Sequence, residues 1–146
     1  MSPDTVFKYD TKCYTKSMRR VFKTRHFARW MRKTELTDAA LCNAVDEMER
    51  GLIDADLGGG VVKKRIGMSG RGKSGSARTL VATRKGSTWF FLYGFEKNDN
   101  ANISDDELEA FRTIAQDWLA RTGQELDTAV TEGFLQEICH DQKRQA

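Results

Sequence analysis

Apolar positions along this chain change period twice, dividing it into a helical first third, a strand-rich centre and a helical end. Val21 and Phe22 open a short strand. Phe27, Trp30 and Met31 then recur at i, i+3 and i+4, the spacing of an amphipathic helix whose other side is basic through Arg25, Arg29, Arg32 and Lys33. A second helix is predicted after Thr37 or Asp38, either of which can cap it. Leu41, Ala44, Val45, Met48 and Leu52 form its apolar stripe, with Asp46, Glu47 and Glu49 toward water. Residues 61–66, 78–83 and 89–95 switch to a period of two and predict three strands, joined by basic, glycine-rich turns. Ser104 and Glu107 then form a capping box, with Ile103 placed to staple onto Leu108, and Leu108, Phe111, Ile114, Ala115, Trp118 and Leu119 supply the next helical stripe. Thr122 and Gly123 end that helix. A shorter segment with Leu126, Ala129 and Val130 precedes Gly133, Phe134 and Leu135.

Charge follows the same division. Residues 61–97 hold nine lysines and arginines against one acid, Glu96, whereas residues 99–146 hold eleven acids against four bases. The whole chain of 146 residues carries only +3. A basic sheet with an acidic tail predicts a polyanion-binding face in the centre, the tail either shielding it or covering another surface. Alternation puts Lys63 and Arg65 on one face with Val61, and Val62, Lys64 and Ile66 on the other. If the three runs pair as an antiparallel meander, Lys63, Arg65, Arg78 and Lys97 converge at one end or face, as a phosphate site requires. In the third run Trp89, Phe91, Tyr93 and Phe95 are expected on one side, with Phe90, Leu92 and Gly94 on the other. Such a strand is buried on both faces, with base stacking as the functional alternative for Tyr93 or Phe95.

Residues 67–74 match G-x-x-x-x-G-K-S literally. A phosphate-binding loop of that type feeds directly into a helix, whereas a β-rich run follows here, so nucleotide hydrolysis is not expected. A flexible basic hairpin, with Arg71 and Lys73 reaching nucleic-acid backbone, suits the glycines and serines better. No cofactor is implied. His26 and His140 have no ligand or base at catalytic spacing; His26 reads as a structural or surface residue and His140 as a surface one, and no carboxylate cluster predicts a metal site. Cys13, Cys42 and Cys139 are odd in number and widely spaced, so they read as ordinary thiols. No apolar run approaches the roughly 18 residues of a membrane span, and no secretory signal is evident, so a soluble, cytoplasmic protein without a membrane partner is expected. Residues 1–17 are polar, contain the single proline and show no sustained period, predicting a disordered arm, with Met18 as an alternative start.

The order of a short strand, two helices and a meander carries KKR on its first strand, G-x-G-K-S-G-x-x-R in the hairpin and GF-x-K-N closing the last strand. Over roughly residues 18–120 this resembles the RelE/HigB-type toxins of bacterial toxin–antitoxin systems. The resemblance implies an α+β fold in which an antiparallel sheet of three to four strands is packed by two N-terminal helices and followed by a C-terminal helix. The core would span residues 18–120 of a single domain 18–146, with an extension over 121–146. The resemblance further implies a small ribonuclease that cuts messenger RNA, usually on the ribosome, and a neutralising antitoxin of helix-turn-helix type. Three departures stand out. Lys64 occupies a place that is often apolar, Ala77 replaces an aromatic residue, and neither tyrosine nor histidine lies between Lys97 and Glu107.

Without a histidine, cysteine or serine beside a base, the remaining route to RNA cleavage uses the substrate's own 2′-hydroxyl. Lys63 is the candidate general base, because Lys64, Arg65 and Arg78 beside it disfavour its charged form. Arg65 and Arg78 would hold the phosphate and stabilise its added charge, and Lys97 would assist the departing 5′-oxygen. Lys64, Arg71, Lys73 and Tyr93 are the candidate RNA-binding residues. Two other functions fit the same residues: a ParE-like inhibitor of DNA gyrase, and a non-catalytic module that binds nucleic acid or an antitoxin.

Overall fold

A computed structural model of the chain describes residues 19–67, 76–84, 87–96 and 103–139. The elements are β1 (Arg20–Thr24), α1 (Arg25–Met31), α2 (Asp38–Glu49), β2 (Ala55–Gly58), β3 (Val61–Gly67), β4 (Ser76–Arg84), β5 (Thr88–Glu96), α3 (Asp105–Leu119), α4 (Gly123–Thr131) and β6 (Leu135–Ile138). The expected arm over residues 1–17 lies outside the described residues, as do Arg71, Lys73 and Lys97.

Side-chain hydroxyls set the helix starts where the sequence placed them. Thr24 accepts from the Phe27 amide, Thr37 from that of Ala40, and Ser104 and Glu107 complete the anticipated capping box. Thr122 and Glu125 form a second box. The segment after Thr122 is therefore a capped helix rather than a continuation of α3.

The strands form one six-stranded sheet in the order β2-β3-β4-β5-β1-β6. Its centre is the anticipated antiparallel meander of β3, β4 and β5. The sheet is larger than the expected three or four strands and is mixed, because β1 runs parallel to β5. Edge strands β2 and β6 have four residues each, two of them exposed in β2 and one in β6. Such short edges carry too little alternation to stand out in a sequence. Gly58, Gly59 and Gly60, all at positive φ, make the turn between β2 and β3.

Each face of the sheet is covered. On one side Phe27, Met31, Leu41, Ala44, Val45 and Met48 of the first two helices pack on Val62, Ile66, Val81 and Phe91. Leu52, expected in this layer, falls beyond the end of α2 and is 53% exposed. Nor do the α2 carboxylates simply face water: Asp46 and Glu49 bind Arg19 at 2.7 and 3.0 Å, and Asp38 binds Lys23 at 2.8 Å. On the other side α3 and α4 bring Phe111, Ala115, Trp118, Leu126 and Ala129 onto Val61, Leu80, Ala82 and Phe90. Ile114 leaves the expected stripe and is largely exposed. Arg112 and Gln116 of α3 donate to the carbonyls of Leu57 and Gly59, fixing α3 to the β2–β3 turn.

Two features were not anticipated. Cys42 of α2 and Cys139, just after β6, are joined in a disulfide (S–S 2.05 Å, Cα–Cα 5.7 Å) across 97 positions of sequence. The expectation of three ordinary thiols is corrected for these two. Their spacing hides the pairing, because only the placement of β6 beside β1, under α2, brings them together. Beside them, Arg20 joins β1 to the C-terminal layer through Glu137 and Asp127 at 2.8 and 2.7 Å. Its hydrogen bonds to Glu137 raise the guanidinium above its ordinary value despite desolvation.

The second feature is a bulge in β5. Leu80 faces Tyr93 but Val81 faces Phe91, so Leu92 is an extra residue and the alternation reverses there. Trp89 and Phe91 keep to the α1–α2 side, while Tyr93 passes to the α3 side and Gly94 turns toward α1. The expected common face of Trp89, Phe91, Tyr93 and Phe95 is thereby split. A Cβ at Gly94 would lie 2.3 Å from the Trp30 ring. Gly94→Ala is expected to lower stability by about 1–3 kcal/mol through overpacking, read as a lower urea midpoint at unchanged slope. An unchanged midpoint would contradict this packing.

Candidate nucleic-acid interface

The central strands deliver the cations to one face. In β3, Lys63 and Arg65 share the α3 side with Val61, whereas Val62, Lys64 and Ile66 point to α1 and α2. Register then extends two rows across the sheet: Lys63 faces Leu80, which faces Tyr93; Arg65 faces Arg78, which faces Phe95. Neighbouring strands lie about 4.8 Å apart and alternate residues about 6.6 Å apart. Three long cationic side chains therefore rise from an area that one phosphodiester can span.

Cover from the helical layer thins along β3. Val61 is fully buried, Lys63 half-buried and Arg65 exposed. Arg78 is half-buried, and its Nη1 is out of reach of solvent with no hydrogen-bond partner. An unmet guanidinium nitrogen is costly, and an anion supplies the acceptor it lacks. Lys63 and Arg65 form no side-chain hydrogen bond or ion pair with another described residue. The acidic tail spends its charge elsewhere, on Arg20, Arg112 and Arg121. Its helix α3 lies on the same face of the sheet, but among the described residues these ion pairs join its acids to those arginines and not to Lys63, Arg65 or Arg78.

Lys64 is the residue whose placement departs most from its candidate role. Buried on the opposite face, it snorkels to donate to the Leu52 carbonyl at 2.9 Å and pairs with Glu47 at 2.8 Å. It fastens β3 to the α2 layer and stands apart from Lys63, Arg65 and Arg78. Of the three cations expected to crowd Lys63, only Arg65 and Arg78 share its face.

Tyr93 stands at the flank of the cationic rows, half-buried among rings. Phe111 lies 4.9 Å from it and Phe95 5.9 Å, while the His26 imidazole is stacked on it at 5.7 Å with an interplanar angle of 9°. The sequence offers no sign of that last contact, which arises where β1 stops and α1 turns beside β5. Residues 68–75, including Arg71 and Lys73, and Lys97 lie outside the described residues. The strand β4 begins at Ser76, so no helix follows the G-x-x-x-x-G-K-S stretch as a nucleotide-binding loop would need.

Chemically, the face can bind a phosphodiester, stabilise added charge on it and exchange a proton at Lys63. Among the described residues no group of three or more His, Cys, Asp or Glu side chains is placed to hold a metal ion, and no helix is long and apolar enough to cross a membrane.

No curated protein matches the chain. The family described as the RelE toxin of the RelE/RelB toxin–antitoxin system matches residues 19–138, which takes in all six strands and both helical layers. A match of that extent makes the chain a member of the RelE toxin family, the toxin half of a toxin–antitoxin pair whose partner is an antitoxin.

Proposed function

We propose that this toxin is a metal-independent endoribonuclease that cuts messenger RNA on the ribosome and so stops translation. The observation that carries the reading is the row of Arg65 and Arg78 beside Lys63, with a buried Arg78 nitrogen lacking an acceptor. Arg65 and Arg78 grip the non-bridging oxygens of the scissile phosphate. Lys63, as the free amine, takes the proton of the 2′-hydroxyl, whose oxygen attacks the adjacent phosphorus. The bond from phosphorus to the 5′-oxygen breaks, and Lys97, which follows Glu96 at the end of β5, returns a proton to that oxygen. The products are a 2′,3′-cyclic phosphate and a 5′-hydroxyl. Arg71 and Lys73 hold flanking phosphates.

Positioned acid–base groups contribute about 10²–10⁴ each, a modest total for phosphodiester cleavage. That shortfall supports a role for the ribosome in orienting the RNA in line. The antitoxin, of helix-turn-helix type in this reading, neutralises by covering the basic face or displacing α3. In this reading the toxin acts in the cytoplasm as a single domain.

Expression in cells separates this reading from gyrase inhibition. Growth arrest with fragmented messenger RNA bearing cyclic-phosphate ends, and normal plasmid supercoiling, is the expected pattern. Intact messenger RNA with relaxed plasmid would overturn it.

A further inference from the structure

We propose that His26 is the outer step of an aromatic shelf on which a nucleobase next to the scissile phosphate stacks, making it a positioning residue for RNA. The inference rests on the ribonuclease reading and names part of how that site takes its substrate. Tyr93 is the ring that alternation singles out for stacking. It is already enclosed, by Phe111 and Phe95 on the α3 side and by His26 in a near-parallel stack. The remaining aromatic face open to a base is the imidazole, since His26 is exposed.

The position of the shelf follows from the fold. Lys23 is the last β1 residue in register with β5, opposite Phe91, and the Thr24 hydroxyl donates to the Phe91 carbonyl. Two residues on, at the start of α1, His26 lies beside Tyr93. Tyr93 shares a row with Lys63, two strands away, which places their Cα atoms about 10 Å apart. His26 lies on Tyr93, so a base on the shelf flanks the cationic rows rather than sitting over them. Arg29, exposed one helical turn beyond His26, extends the cationic track past the shelf. Nothing in the described structure otherwise occupies the imidazole: among the described residues it makes no hydrogen bond or ion pair. Stacking of this kind tolerates any base, so it sets grip and register rather than identity.

The test measures the dissociation constant of a short single-stranded RNA blocked by a 2′-O-methyl group at the cleavage position, together with KM and kcat for cleavage of a defined message on programmed ribosomes. His26→Ala is expected to weaken binding about tenfold or more and to raise KM more than it lowers kcat. His26→Phe, which keeps a stacking face, restores binding, and replacing the stacked nucleotide by an abasic one abolishes the difference between wild type and His26→Ala. Equal binding by wild type and His26→Ala, while Arg78→Ala binds weakly, would overturn the shelf alone. If His26→Phe is as impaired as His26→Ala, the imidazole acts through its nitrogens and the stacking role is wrong. Loss of no affinity in Arg78→Ala would instead sink the ribonuclease reading on which the shelf depends.

Discussion

Arg78→Ala is expected to reduce RNA cleavage by at least 10²-fold and to abolish growth arrest, while leaving the fold intact. The magnitude follows from what the side chain does. A preorganised donor aimed at developing charge is worth roughly 10²–10³ in rate, and Arg78 is the member of the cationic rows held half-buried between Arg65 and Phe95. Removing it also removes a buried nitrogen, Nη1, without a partner, and the variant loses no hydrogen bond to another described residue. Its unfolding midpoint should be equal to or above that of wild type. Lys64→Met is the contrast: one residue from Lys63 in sequence, yet on the opposite face and paired with Glu47, it should leave cleavage and the salt dependence of RNA binding unchanged. Arg65→Ala, by comparison, should reduce the log–log salt slope by about 0.7, the value for one phosphate contact on a single strand. A full-activity Arg78→Ala, or a Lys64→Met with the slope of Arg65→Ala, would count against the assignment of faces.

Opening the Cys42–Cys139 bridge is expected to have the largest effect on stability. A cross-link over 97 positions removes much chain entropy from the unfolded state, and loops of that length correspond to about 4.7 kcal/mol in the chain-entropy view. For a chain of this size the melting temperature should fall by roughly 10 °C in reductant or in a Cys42→Ala, Cys139→Ala double variant. The loss should be centred on β6, which pairs only with β1, so amides of residues 135–138 should lose exchange protection first. In the oxidised, unfolded chain Cys13 alone should react with a thiol reagent. Three reactive thiols in the oxidant-treated protein, or a melting curve indifferent to reductant, would contradict the bridge.

The sequence made some of this molecule legible and hid the rest for identifiable reasons. The meander could be read because β3, β4 and β5 are runs of seven to nine residues set apart by basic, glycine-rich turns, and one face of β3 carries Lys63 and Arg65 with Val61. Capping hydroxyls at Thr37 and Ser104 marked helix starts equally well. What escaped depends on tertiary placement. The bulge at Leu92 adds a single residue to an all-apolar strand, where no polar position marks the break in alternation, and it alone sends Tyr93 toward the cations. Alternation did put Lys64 on the face opposite Lys63 and Arg65; what it hid was the carboxylate of Glu47 there, which holds a charge that the basic run offers to RNA. His26 had no partner within its own segment, and its stack on Tyr93 exists because β1 lies parallel beside β5. The cysteine pair and the edge strands β2 and β6 escaped for the same reason, since each is defined by neighbours distant in sequence.

The central claim is that the face bearing Lys63, Arg65 and Arg78 cuts messenger RNA. Primer extension on a defined message in a reconstituted translation reaction, with and without ribosomes, tests it most directly. Wild-type protein should give cuts within codons that require ribosomes and vanish in both Lys63→Ala and Arg78→Ala. Uncut message under conditions in which the wild-type chain still arrests growth would contradict the claim and turn attention to inhibition of gyrase.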